Sequence, residues 1–178
     1  MNRAEALQEL PNFGYEYLHG PVSEHILNAT ITKGNCRLAV QCYFNKVYGM
    51  YLGPDDIVLP EAKDKGFLME NKDTNIFLNG LREGDIIYAE KIRNSHGKEI
   101  KTNNKKFETE EERLRNLHLG VYLGVLERES SSRFSLKNID DIGKPVIWHS
   151  SFISKGTDLW SVEKFCNYYL PIIARRVI

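Results

Sequence analysis

The chain has 178 residues and a mass of 20.5 kDa, a size that fits one domain. Its 24 Lys and Arg residues balance 24 Asp and Glu residues, which excludes strong non-specific attraction to nucleic acid or to an anionic membrane. No apolar run reaches the roughly 18–20 residues that a membrane-spanning helix needs. Residues 1–10 contain no signal-peptide core, so we expect a cytoplasmic protein. Three cysteines, Cys36, Cys42 and Cys166, are too few and too scattered to predict a disulfide framework or a zinc site.

The first half of the chain is predicted to be helical and irregular. Residues 2–10 predict a short helix, because apolar side chains recur on one face. Residues 35–48 carry the strongest helix signal, an apolar stripe at 3.6-residue spacing. Asn35 is the predicted N-cap of this helix and Gly49 its stop. Residues 55–80 are predicted to be a loop with short helical turns.

From residue 84 onward the hydrophobic period changes to that of β-strands. Strands are predicted over 86–89, 118–126, 145–150, 157–162 and 172–178, with a short helix over 163–169. Helices come first, strands follow, and the chain lacks βαβ alternation. This order predicts one α+β domain over residues 1–178, with a helix packed on an antiparallel sheet of about five strands.

Residues 90–115 are dominated by charge and form an insertion into the strand region. One interpretation is a solvated insertion with a helical end near residues 109–116. The alternative is a lid or substrate-selecting loop, because the segment leads directly into the strand that begins at His118. The change from basic to acidic residues within it argues against a nucleic-acid-binding stripe.

Cys36 lies at the start of the predicted helix over 35–48. Unpaired N–H groups and the positive end of the helix dipole are expected to lower the pKa of a thiol there and so favour a reactive thiolate. The alternative is a small core residue, which is the common role of an isolated cysteine. Cys42 and Cys166 fit this core role, because they lie on apolar helix faces.

Two histidines are predicted to meet at one edge of the sheet. His118 begins one predicted strand and His149 nearly ends the next. If these strands form an antiparallel hairpin, the beginning of one lies beside the end of the other. A cysteine, a base and an orienting group are what nucleophilic catalysis requires.

Four segments together resemble the NlpC-type (NlpC/p-sixty) papain-like cysteine peptidases. They are Asn35-Cys36 before a helix, Arg82–Ile87 with its Gly-Asp pair, His118–Gly124 with its His-x-Gly-x-Tyr-x-Gly pattern, and Ile147–Ser151 with a histidine on the next strand. The resemblance covers about residues 34–150, with the motifs in the family's order. It implies the papain-like NlpC-type fold, with the catalytic cysteine at a helix start.

The resemblance also implies a triad and a reaction. Cys36 would be the nucleophile, His118 the general base and His149 the residue that orients this base. The backbone N–H of Cys36 would contribute to an oxyanion hole. The reaction would be hydrolysis of an amide bond through an acyl-enzyme, without a metal or an organic cofactor.

Three further residues are expected to border the oxyanion hole or the substrate. Tyr17 begins a Tyr-Leu-His-Gly segment that is similar to the family's Tyr-x-x-Gly loop. Asn35 and Arg37 flank Cys36, where the family usually has Asp and Ser. Because Arg37 is bulky and cationic, this departure bears mainly on the identity of the substrate.

The resemblance suggests a small peptide or muropeptide substrate, such as the γ-D-glutamyl–diamino-acid linkage of peptidoglycan stems. Two alternatives remain open. One is an acyltransferase or amidase that acts on a lipid or an amine with the same cysteine and histidine. The other is a non-catalytic binding module that retains the fold.

Overall fold

The computed structural model describes residues 10, 13–15, 33–94, 96–100, 107–126 and 143–178. The strands are β1 (Gly14–Tyr15), β2 (Lys33–Gly34), β3 (Phe67–Glu70), β4 (Ile86–Lys91), β5 (His118–Val125), β6 (Pro145–Ser151), β7 (Gly156–Ser161) and β8 (Tyr169–Arg176). The helices are α1 (Cys36–Tyr48), α2 (Pro54–Ile57), α3 (Thr74–Gly80), α4 (Glu110–Arg115) and α5 (Val162–Tyr168). The fold is therefore α+β, as the order of the predicted elements indicates. None of the helices in these ranges is long and apolar enough to cross a membrane.

The strands form one sheet in the order β2-β1-β7-β6-β5-β4-β8-β3. Neighbouring strands are antiparallel except β1 and β2, which are parallel. The five predicted strands are the contiguous centre of this sheet, from β7 to β8. Sequence analysis predicts about five strands, whereas the described residues form eight.

The three additional strands lie at the edges of the sheet. β1 and β2 have two residues each and β3 has four, so none is long enough to show a strand period in the sequence. β3 lies in the segment over 55–80 that is predicted to be loop, where α2 and α3 account for the predicted helical turns. The helix predicted over residues 2–10 lies outside the described residues except for Leu10, which is buried.

Helix α1 begins and ends where its sequence predicts. The side-chain oxygen of Asn35 accepts hydrogen bonds from the first turn, and Gly49 ends the helix in the left-handed conformation with φ 63°. The helix packs against β5 and β6. The indole N–H of Trp148 donates a hydrogen bond of 3.0 Å to the carbonyl of Ala39, which fixes β6 against the helix.

The two faces of the sheet belong to different hydrophobic clusters. On β5, Leu119 and Val121 pack in the cluster that contains α1. Because side chains alternate along a strand, His118 and Tyr122 face the other layer, where the His118 ring meets Phe165 of α5. The helix that carries Cys36 and the side chain of His118 thus lie on opposite faces of the sheet.

The sheet opens between β5 and β6 at the end that carries the histidines. The paired register of these strands ends at Val121 and Trp148. Beyond this point residues 118–120 appear only in the β4 pairing and residues 149–151 only in the β7 pairing. This opening is called the β5–β6 gap below.

Gly120 keeps the strands close at the edge of the β5–β6 gap. A Cβ atom at this position would lie 2.6 Å from Ile147 Cγ2 and 3.5 Å from the Cβ of His149. We predict that Gly120→Ala lowers the free energy of unfolding by about 1–3 kcal/mol, because the added methyl group overpacks a rigid region. Urea unfolding measures the change.

Gly53→Ala is the matched control, because the nearest atom to its added Cβ is 3.4 Å away. We expect this control to lower the free energy of unfolding by less than about 1 kcal/mol, the scale of an altered helix N-cap. Equal losses in the two variants would contradict the close packing at Gly120.

Candidate active site

Cys36 is the first residue of α1 and is partly exposed. Asn35 orders the helix start, because its Oδ1 atom accepts from the N–H groups of Arg37 at 3.1 Å and Leu38 at 3.2 Å. The backbone N–H of Leu119 donates toward the Cys36 sulfur across the β5–β6 gap. The thiol of the helix thus contacts the strand that begins with His118.

The direction of the Leu119 N–H group follows from the alternation of hydrogen bonds along β5. Tyr122 donates its backbone N–H to the carbonyl of Asp85 on the β4 side, at 2.9 Å. An N–H three residues earlier in an antiparallel strand points to the opposite side, toward β6. Because the β5–β6 pairing ends at Val121, the Leu119 N–H group meets the Cys36 sulfur at this position.

Burial decides the protonation state of Cys36. Loss of solvation raises the pKa of the Cys36 thiol above its ordinary value. The N–H of Leu119, the charge of Arg37 and the N–H groups at the helix start lower this pKa by less. The expectation of a lowered thiol pKa is therefore wrong, because the sequence indicates the helix terminus and not the solvation of the sulfur.

His118 and His149 lie side by side, as the hairpin argument predicts. Nε2 of His118 and Nδ1 of His149 are 2.9 Å apart and share one hydrogen bond. The two rings meet at 89°, with centroids 5.2 Å apart. His149 is fully buried, whereas His118 is partly exposed. The hydrogen bonds of the described residues include none between Cys36 and His118.

Aromatic side chains surround this histidine pair on the side away from α1. Trp160 lies edge-on to His149 at 4.4 Å, and Tyr169 stacks on His118 at 4.0 Å. Loss of solvation lowers the pKa of His118 to about 3, with a smaller contribution from the charge of Lys91. Burial likewise lowers the pKa of His149 well below its ordinary value. Both imidazoles are therefore neutral at pH 7.

Tyr169 and Ser151 belong to the site although sequence analysis assigns them no role. Tyr169 is predicted as the last residue of a helix, but it is the first residue of β8. Its hydroxyl is hydrogen-bonded to the side chain of Ser151, two residues after His149. Burial and the nearby Cys36 sulfur raise the pKa of Tyr169. The sequence feature that could have indicated this role is an aromatic residue at the boundary between the predicted helix and the next strand.

Asn35, Arg37 and Tyr17 are the other residues that the sequence places in the site. Asn35 is buried and its side-chain oxygen serves as the helix cap. Arg37 donates from its guanidinium to the carbonyl of Arg115 at 2.8 Å, which links the start of α1 to the end of α4. Tyr17 lies outside the described residues. Tyr15 is the nearest described tyrosine, and it is paired in register with Gly34.

The charged insertion ends against the site. Residues 90 and 91 belong to β4, and α4 lies within the predicted helical end over 109–116. Arg113 of α4 forms an ion pair with Glu90 of β4. The C-terminal part of the insertion is thus held between β4 and the helix that carries Cys36.

A thiol and two imidazoles define the chemistry available here. Among the residues that the structure describes, no group of three or more His, Cys, Asp or Glu side chains could hold a metal ion.

No protein-family model matches the chain, and no curated protein or solved structure matches it.

The neutral histidine pair makes stability depend on pH. Histidines in the unfolded chain bind a proton as the pH falls through about 6.5, whereas His118 and His149, which lose solvation in the folded protein, resist protonation. The stability that they contribute is present above about pH 6.5 and is lost as the pH falls toward their folded pKa values. We predict a loss of up to about 1.4 kcal/mol per pH unit for each histidine. Urea unfolding between pH 7.5 and 5 measures this slope.

His149→Gln should reduce this pH slope, because one of the two imidazoles with a lowered pKa is then absent. The matched control is His96→Gln, because the His96 side chain is exposed. A free energy of unfolding that is constant from pH 7 to 5 in the unsubstituted protein would contradict the prediction.

Proposed function

We propose that this protein is a cysteine hydrolase with the papain-like NlpC-type fold, which cleaves an amide bond through an acyl-enzyme. One observation carries the proposal. The hydrogen-bonded pair His118–His149 lies at the β5–β6 gap, where the Cys36 sulfur meets the N–H of the residue that follows His118. Cys36 and His118 are partly exposed and His149 is buried, as expected for a nucleophile, its base and an orienting group.

The hydrogen bond between the imidazoles defines the tautomer that catalysis needs. If Nε2–H of His118 donates to Nδ1 of His149, the Nδ1 atom of His118 keeps a lone pair and can accept the thiol proton. Because burial favours the neutral thiol and the neutral imidazole, the proton leaves sulfur together with nucleophilic attack. His149 holds the His118 ring in this orientation.

The reaction then proceeds in two steps. The Cys36 sulfur forms a bond to the carbonyl carbon, and His118 passes the thiol proton to the leaving nitrogen as the C–N bond breaks. Water attacks the thioester, His118 accepts a proton from this water, and the released thiol regains a proton. The N–H groups of Arg37 and Leu38 are bound to Asn35, so the proposal assigns the oxyanion to the N–H of Cys36.

The charges near the site support an anionic peptide as substrate. The charged side chains that influence the pKa values of Cys36, His118 and His149 are cationic: Arg37, Lys91 and Lys164. These positive charges attract carboxylates, whereas the carboxylate of Asp158, the register partner of His149, contributes a negative charge nearby. A small peptide or muropeptide with free carboxylates fits this environment, and the sequence resemblance suggests the same class.

A non-catalytic binding module is the second candidate function. The observation that favours it is the raised pKa of the Cys36 thiol, since a neutral thiol is a weaker nucleophile than a thiolate. An enzyme and a module differ in turnover, so the experiment below separates them.

We predict that the protein cleaves a peptidoglycan stem peptide and that Cys36→Ala lowers the rate by at least about 1,000-fold, because the nucleophile is lost. Digestion of muropeptides followed by mass spectrometry identifies the broken bond. Cys166→Ala is the matched control, because Cys166 is a partly exposed cysteine on α5, and it should retain the rate of the unsubstituted protein.

A thiol-directed activity probe with peptide mapping locates the nucleophile in the same samples. We expect the label on Cys36. Cleavage that persists in Cys36→Ala would refute the acyl-enzyme mechanism. Absence of cleavage with unlabelled Cys36 would favour the binding module.

A further inference from the structure

Tyr169 has the closest ring contact with His118 among the described residues. The two rings are nearly parallel, at 8°, and their centroids are 4.0 Å apart. Tyr169 is buried, and its hydroxyl is occupied by a hydrogen bond with the side chain of Ser151. The ring face of Tyr169 is therefore the part that acts on His118.

The His118 ring needs two constraints to stay in a productive orientation. The hydrogen bond to His149 engages the Nε2 edge of the imidazole. It does not fix the plane of the ring, since rotation about the hydrogen-bond direction leaves the 2.9 Å contact intact. His118 also lies where β5 lacks pairing with β6, so the strand on this side gives little support.

We infer that Tyr169 is the positioning residue of the general base: its ring fixes the plane of His118 and stabilises the imidazolium that forms when His118 takes the Cys36 proton. A cation over the face of an aromatic ring is attracted by the ring quadrupole. The neutral imidazole gains less from this face, so the stabilisation is larger when the proton is transferred. This inference rests on the proposed function.

The chain offers a set of matched variants. Tyr169→Phe keeps the ring and removes the hydroxyl, whereas Tyr169→Leu removes the ring. Tyr168→Leu is the control, because the neighbouring Tyr168 ring contacts Trp160 at 5.3 Å instead of His118. Tyr169→Met replaces Tyr169→Leu if the leucine variant does not fold, as judged by circular dichroism.

The test measures the rate at which iodoacetamide alkylates Cys36 at pH 7, by mass spectrometry of the mapped peptide. We expect His118→Ala to slow this reaction at least about tenfold, because the base is lost. Tyr169→Leu should slow it about threefold to tenfold, because ring contact with the imidazolium is lost. Tyr169→Phe and Tyr168→Leu should stay within about twofold of the unsubstituted protein, since both keep the ring on His118.

A double variant separates positioning from a structural role. In the His118→Ala background, Tyr169→Leu should cause no further slowing, because Tyr169 acts through His118. The same slowing in both backgrounds would overturn the inference. The inference would also be overturned if Cys36 in Tyr169→Leu is alkylated at the rate of the unsubstituted protein while His118→Ala is alkylated slowly. If Cys36 in His118→Ala is alkylated as fast as in the unsubstituted protein, the proposed function is overturned, and the inference with it.

Discussion

The end of the β5–β6 pairing is the constraint on which the site depends. In a continuous sheet, the backbone would separate the helix layer that carries Cys36 from the layer that holds the histidine side chains. The pairing ends at Val121 and Trp148, and the N–H of Leu119 reaches the Cys36 sulfur beyond that point. At the β5–β6 gap, the thiol on one face thus contacts the backbone of the strand that carries His118 on the other face.

Burial then sets the charge of the three groups in this opening. An ion pair of thiolate and imidazolium would have to compensate for the solvation that both charges lose. The pKa of Cys36 is raised and the pKa values of His118 and His149 are lowered, so all three groups are neutral at pH 7. The nearby cations Lys91 and Lys164 act in the same direction on the histidines. In such a site, charged groups form only when the proton is transferred from the thiol to an imidazole.

The sequence predicts the centre of the sheet, α1 and the meeting of His118 with His149, because each depends on local periodicity or on simple antiparallel pairing. It does not predict β1, β2 and β3, which are too short to show a period. The sequence also does not predict the β5–β6 gap or the contact of Tyr169 with His118. Both depend on tertiary register, which neighbouring residues in the sequence do not encode. The direction that the sequence predicts for the shift of the Cys36 pKa is wrong for the same reason, since burial is a property of the packed molecule.

The register of β8 places Tyr169 over His118, and it shifts once along the β4–β8 pairing, between Tyr88 and Ala89. Buried Arg175 donates to the hydroxyl of Tyr88 at 3.2 Å, to the backbone carbonyl of Lys65 before β3 and to that of Asp56 in α2. Arg176 forms two hydrogen bonds with the buried carboxylate of Asp85, at 2.8 and 2.7 Å. These contacts hold the C-terminal half of β8 against β4, and on the other side of the register shift Tyr169 is paired with Lys91. A slip of one residue would turn the Tyr169 ring to the opposite face of the sheet, away from His118. The position of the Tyr169 ring over His118 therefore depends on the register of β8 on both sides of this shift.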